Sequence, residues 1–177
     1  MIFAYGSLAV PATIAALIGR PPITGRDHTL ARLPGWTLTW NVCTDNTAPD
    51  PVVSYEDPAT GLRPAIQVLF LTVEPAPGAA VPGVAIAVPD EALPALDARE
   101  GNYLRTAVTL DTGPAWTYVA KPASAARARR AFAEGTARIR RDYHDTVTAA
   151  YRAHPGLPPL PPPPAPVIPL HRLRHRP

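Results

Sequence analysis

One cysteine, Cys43, stands in a chain of 177 residues, which excludes an intramolecular disulfide and a cysteine-rich zinc site. Its thiol is either a small buried strand residue or a nucleophile, and the first is the commoner role. No apolar run approaches the roughly 18 to 20 residues of a membrane span. The start, Met1-Ile2-Phe3-Ala4-Tyr5, enters strand-like residues without a basic leader, so neither a membrane partner nor a secretory signal is expected and the chain reads as cytoplasmic. The histidines, His28, His144, His154, His171 and His175, form no ligand spacing. His171 and His175 are four apart but lack a third ligand, so no metal site is expected. There is no internal repeat.

What is present fits one globule. The hydrophobic fraction is 46% and mean hydropathy is −0.02, and this length buries one sizeable core without staples. The net charge of +3 and isoelectric point near 9.3 come almost wholly from arginine in an Ala- and Pro-rich chain. Arg127, Arg129, Arg130, Arg138, Arg140 and Arg141 are read as a solvated face rather than a phosphate-binding stripe, so no nucleic-acid partner is expected.

Residues 1–5 read as a strand, stopped by Gly6-Ser7 and followed by a helix that Pro11 opens and Gly19 closes. Leu30 to Cys43 alternates Trp36, Leu38 and Trp40 with threonines around Pro34-Gly35, which predicts a hairpin or bent strand. Thr44 to Arg63 reads as an irregular excursion with a brief strand-like Val52 to Tyr55. Ala65 to Val73 predicts a buried strand, Pro75 to Pro82 a turn region, and Val84 to Val88 another strand. Residues 89–101 predict a short helix with Asp90 as N-cap and Gly101 as the C′ glycine, starting late because of Pro94. Tyr103 to Leu110 and Ala115 to Ala120 predict a hairpin around Asp111-Thr112-Gly113, where the sheet is expected to end. Ser124 to Glu134 and Thr136 to His154 read as two helices, the second presenting Ile139, Tyr143 and Val147 at helical spacing. Residues 1–157 are expected to form the domain. Residues 158–177 form a proline-rich basic tail, inclined to polyproline II, serving as a spacer or strapped to the body.

Glu100 follows Leu96 by four residues and Leu93 by seven, so at about 100° per residue the three share one helical sector. Its carboxylate thus joins the apolar stripe at the helix C-terminus, where macrodipole and burial both disfavour an anion. That marks a candidate general acid–base group; pairing with Arg99 or Arg105, or rotation to solvent, is the competing reading. Tyr5-Gly6-Ser7-Leu8 lies between strand and helix, where free N–H groups suit an anion or a developing oxyanion, or make a plain turn. Ser7 lacks the G-x-S-x-G elbow and a histidine placed to serve it, which disfavours it as a nucleophile.

Phe3-Ala4-Tyr5-Gly6-Ser7-Leu8, the run Leu96 to Arg105, and Thr117-Tyr118-Val119-Ala120, taken in this order, resemble the γ-glutamylcyclotransferase-like family. The resemblance covers most of residues 1 to about 154. It implies an α+β fold, a small mixed β-barrel with flanking helices, with a small-molecule γ-glutamyl pocket at its mouth and no cofactor. It further implies that Tyr5, Gly6, Ser7 and Leu8 hold the γ-glutamyl group, that Glu100 moves protons and that Tyr118 lines the pocket. Two departures bear on the substrate: only Asn102 separates Glu100-Gly101 from Tyr103, and Leu8 stands where some members have Asn.

The chemistry implied is release of 5-oxoproline and a free amine, the substrate's α-amine attacking its own γ-carbonyl. Two other readings stand beside it: an enzyme of this scaffold acting on another amide, such as a γ-glutamyl-protected biosynthetic intermediate, and a non-catalytic binding or assembly module that recruits partners through the tail.

Overall fold

The computed structural model describes residues 1–175; Arg176, at the basic end of the tail, lies outside the described residues. Strand β1 (Ile2–Ala4) runs through a 3-10 turn, Ser7–Ala9, into α1 (Pro11–Ile18). Pro11 occupies the first turn, where its missing N–H has no partner to lose, and Gly19 ends the helix at φ 73°.

Two long strands, β2 (His28–Asp45) and β4 (Gln67–Ile86), form the body. Leu30 to Cys43 therefore belongs to one bent strand. The expected turn at Pro75 to Pro82 is corrected: β4 continues through it. Pro34 pairs with Ala80 and Trp36 with Pro75, so residues 76–79 bulge out of the ladder, with Gly78 at φ 85° facing the bend at Gly35, φ 78°. The bulge places Pro77 where no ladder N–H is required.

One edge of β4 pairs with β2 along its length; the other pairs antiparallel with β1 from Val84 to Ile86. β1 in turn meets β6 (Gly113–Ala120), which forms a hairpin with β5 (Tyr103–Leu110). The ring is drawn closed at the hairpin tip, where Asp111 N donates to Arg32 O at 3.1 Å and Arg32 N donates to the Asp111 carboxylate at 2.9 Å. Phe3, Leu33, Leu69, Leu71 and Val81 fill the interior.

The sheet does not end at Ala120. α3 (Pro122–Ala133) is followed by β7 (Ala137–Arg140), parallel to β4 at Gln67 to Leu69, and only then by α4 (Arg141–Ala153). Gly135, at φ 67°, turns the chain, and Ile139 belongs to a strand rather than a helix. The arginines expected on one solvated face divide: Arg140 pairs with Asp142 at 2.6 Å and lies over Tyr55, while Arg129, Arg130 and Arg141 are exposed. The tail straps down. β8 (Val167–Ile168) extends the sheet beside β7, and β9 (His171–Arg174) pairs with β3 (Val53–Glu56), burying Leu170 against Tyr55, Ile66 and Val68. Among the described residues no helix is long and apolar enough to cross a membrane.

Candidate active site

The free edge of β4 between its β7 and β1 pairings is open at Leu71, and tyrosines complete its hydrogen bonding. Tyr103 Oη donates to Leu71 O at 2.8 Å, and Leu71 N donates to Tyr143 Oη at 3.3 Å. A hollow of about 310 Å³, mouth included, lies over this gap. Tyr5, Gly6, Ser7, Leu8, Glu100 and Tyr118 all line it, so the structure brings together the glycine loop, the acid and the tyrosine expected to form the site. It adds Phe3, Ala4, Leu71, Tyr103 and Tyr143.

Glu100 reaches the hollow from α2 (Leu93–Arg99), which a 3-10 turn at Asp90–Ala92 precedes. Two details are corrected. Asp90 does not cap the helix, since Pro89 holds the cap position of the 3-10 turn. Gly101 is not left-handed, and Glu100 is itself the C-cap at φ −87°. Seven residues are too few to hold a helix unaided. Leu96, 1% exposed beside Ile14, Ile86 and Ala150, anchors α2 with about 1.5–3 kcal/mol of burial.

The Glu100 side chain is 14% exposed, and burial pushes its carboxyl above the ordinary glutamate range; Arg99, with Nε at 3.3 Å, pulls it partly back. Arg99 is its one ionic partner among the described residues, and no hydrogen bond from them reaches the carboxylate. The pairing with Arg99 weighed from the sequence is therefore present, but it does not remove Glu100 from the hollow. Arg105 instead pairs with Asp97 at 3.1 Å.

In the Gly6 loop, which also lines the hollow, Ala9 N donates to Gly6 O and Val10 N to Ser7 O, which tightens the loop into its 3-10 turn. Among the described residues none accepts a hydrogen bond from the backbone N–H of Gly6, Ser7 or Leu8. A Cβ on Gly6 would stand 3.6 Å from Tyr143 Oη, within the hollow's wall. Tyr5 Oη donates to the Tyr118 carbonyl, and Tyr118 Oη donates to Asp97 Oδ1 at 2.7 Å. Burial raises the phenols of Tyr5, Tyr103, Tyr118 and Tyr143 above their ordinary value, so they serve as neutral hydroxyls, not as bases.

Cys43 is fully buried in β2, its Sγ donating to Gln67 Oε1 at 3.1 Å, and burial pushes the thiol up to about 11, which suits packing and not nucleophilic attack. Among the described residues no three His, Cys, Asp or Glu side chains gather in a metal-holding group.

The family profile described as "Gamma-glutamyl cyclotransferase, AIG2-like" matches residues 2–138. The chain belongs to this family. The match spans β1, the Gly6-Ser7 loop, Glu100 and the β5–β6 hairpin, and stops within β7. A solved gamma-glutamyl cyclotransferase shares the fold, with a TM-score of 0.51 at 16% identity over 89% of this chain and 80% of that one. More distant likenesses are an uncharacterized protein from Homo sapiens (TM-score 0.44, 19% identity, 68% of this chain and 65% of that one) and a protein from Arabidopsis thaliana solved in solution (0.43, 24%, 70% and 72%). No curated protein matches the chain significantly.

Of the residues lining the hollow, Tyr103 and Tyr143 escaped sequence reasoning. Tyr143 carried only the signal of a core residue at helical spacing. Tyr103 carried a better one: the tight turn after Glu100-Gly101, closed by Tyr103 N donating to Glu100 O at 2.8 Å, brings its ring back beside the carboxylate.

Proposed function

We propose that this protein is a cyclotransferase that releases 5-oxoproline and a free amine from a γ-glutamyl amide. One observation carries the reading: a mostly buried carboxylate lines the same hollow as three residues whose backbone amides are unengaged among the described residues. Family membership supports it.

Such a reaction needs no protein nucleophile. The substrate's α-amine nitrogen forms a bond to its own γ-carbonyl carbon, closing a five-membered ring; the amide C–N bond then breaks. Holding the chain in that shape exploits effective molarities on the order of 10⁵ M or more. Glu100 takes the proton that the attacking nitrogen sheds and returns it to the departing nitrogen, and its raised pKa brings it nearer to both roles. The amides of Gly6, Ser7 and Leu8 hold the substrate carboxylate or the oxyanion, one such donor contributing about 3 kcal/mol in the transition state. The neutral tyrosine hydroxyls orient the γ-glutamyl chain.

The test is release of 5-oxoproline from a panel of γ-glutamyl amides by the wild type and by Glu100→Gln. Turnover by the wild type, with Glu100→Gln folded and still binding substrate but inactive, is the expected result. Undiminished turnover by Glu100→Gln would refute the assignment. The strapped-down tail argues against the recruiting-module reading, because β8 and β9 occupy the segment that recruitment would need free.

A further inference from the structure

His154, the C-cap of α4, is buried but does not line the hollow. Its Nε2 meets the Ala9 carbonyl oxygen at 2.7 Å. A carbonyl only accepts, so Nε2 carries the hydrogen and donates. Ala9 is fully buried, and among the described residues its carbonyl has no other partner. On its other side Ala9 N donates to Gly6 O at 2.9 Å, the bond that closes the Gly6-Ser7-Leu8 turn. Ala9 therefore links that turn to α4, three residues beyond the point where Tyr151 bonds to the Tyr5 carbonyl.

A second imidazole stands beside His154. His28, at the start of β2, meets it edge to face, with ring centroids 5.5 Å apart and an interplanar angle of 76°. Nε2 of His28 lies 3.3 Å from Thr24 Oγ1, whereas Nδ1 is buried and has no partner among the described residues. A neutral ring suits this place with its hydrogen on Nε2; a protonated ring puts a second hydrogen on Nδ1, where nothing accepts it. The ionisable groups facing His28 are His154 from α4 and Asp27 from its own segment. Its partner on β4 is Ile86, and the 3-10 turn carries no charge. Asp27 is already taken by Arg20 at 2.6 Å and Arg26 at 3.1 Å. Burial, and after it His154, hold His28 below the ordinary histidine value, with Asp27 pulling the other way. As pH falls the unfolded state takes up this proton first, so the neutral arrangement loses its advantage on the acid side of that value.

We propose that His154 is a positioning residue for the Gly6-Ser7-Leu8 loop, and that protonation of His28 releases its hold. The proposal rests on the cyclotransferase reading, in which those amides hold substrate, and it gives the site an acid-sensitive control. Displacing the His28 ring opens the buried bond between His154 and Ala9 to water, and the turn that Ala9 closes loses its anchor on α4.

Two arms test it. The first reads the loop without substrate. Hydrogen-exchange protection of the Ala9 and Val10 amides, which bond to Gly6 O and Ser7 O, is measured by NMR in Glu100→Gln, so that the site acid does not titrate. Between about pH 7.5 and about pH 5, either side of the ordinary histidine value, protection should fall about tenfold, and adding His28→Leu should abolish that fall. His154→Leu should show the low protection at both pH values; His154→Gln, whose amide N–H reaches the Nε2 position, should restore it. The second arm uses the γ-glutamyl amide that the wild type turns over fastest. His154→Leu should raise KM about fivefold and His154→Gln should bring it back, whereas loss of folded protein alone would lower apparent kcat and leave KM in place. Turnover with KM and protection indifferent to His154 overturns this proposal alone, and an acid loss of protection that persists in His28→Leu overturns the control by His28. No 5-oxoproline from any amide of the panel, with protection still set by His28 and His154, overturns the cyclotransferase reading and leaves the anchor standing. No turnover and no response of the loop overturns both.

Discussion

Tyr151 Oη donates to the Tyr5 carbonyl oxygen at 2.9 Å, tying the C-terminal helix to the peptide that precedes Gly6. Carbonyl and N–H point in opposite directions across a trans peptide, so the bond also orients the Gly6 N–H away from Tyr151. Tyr151→Phe would leave a buried carbonyl without a partner, at a cost of about 1–3 kcal/mol. Tyr151 is thus a positioning residue. The variant should raise KM for 5-oxoproline release, since a misdirected Gly6 N–H holds the substrate less well; loss of folded protein alone would lower apparent kcat and leave KM unchanged, so steady-state kinetics separates the two.

The pH profile of the wild type should report Glu100. As a base it must be ionised, so kcat/KM rises with pH through a limb lying above the ordinary glutamate range, in the direction burial pushes this carboxyl. Arg99 works against burial, and Arg99→Ala should move the limb to higher pH. A limb that stays in place in Arg99→Ala would mean another group titrates.

Stability should carry the same signature with a definite sign. The folded carboxyl has the higher pKa, so below the unfolded value both states are protonated and its stabilising contribution is fully present. As pH rises, the unfolded state ionises first, and the contribution is lost until the folded carboxyl also ionises. Glu100→Gln should therefore melt above the wild type at neutral pH, with the difference shrinking as pH falls toward the unfolded value. Thermal melts across that range check it.

Gly83 is required for space, not for an unusual φ. A Cβ there would stand 2.6 Å from both Ala4 O and the Phe3 ring, where β1 lies against β4. Gly83→Ala must push β1, and with it the Tyr5-Gly6 loop, outward. A loss of about 1–3 kcal/mol in urea unfolding is expected, accompanied by reduced activity.

Truncation after Leu157 should destabilise the protein. It removes the strands covering β7 and β3 and strips Leu170 from its cluster, a side chain whose burial alone is worth about 1.5–3 kcal/mol. A truncated chain melting with the full-length protein would make the tail a spacer after all.

Some of this was legible along the chain because it depends on neighbours. Pro11 and Gly19 bound α1, Asp111-Thr112 turns the hairpin, and Leu93, Leu96 and Glu100 share a stripe whatever they pack against. Other elements misled for the same reason. Pro75, Gly78 and Pro82 carry local turn signals, yet β2 pairs on both sides of the bulge and keeps β4 one strand. Residues 136–140 show helical spacing, but the open edge of β4 at Gln67 to Leu69 offers hydrogen bonds that draw them into β7.

Chain order alone settles which chemical groups are available and which short segments hold them: an acid at the end of an amphipathic turn, and a glycine loop between strand and helix. Whether they meet was decided by tertiary structure alone. The loop and the acid lie far apart in the chain, and what joins them is the packing of Leu96 onto the β1 and β4 cluster. The tyrosines that complete the wall were unreadable in sequence because their task is set by an unpaired strand edge at Leu71, a vacancy that exists only once β1 and β7 have taken their separate stretches of β4.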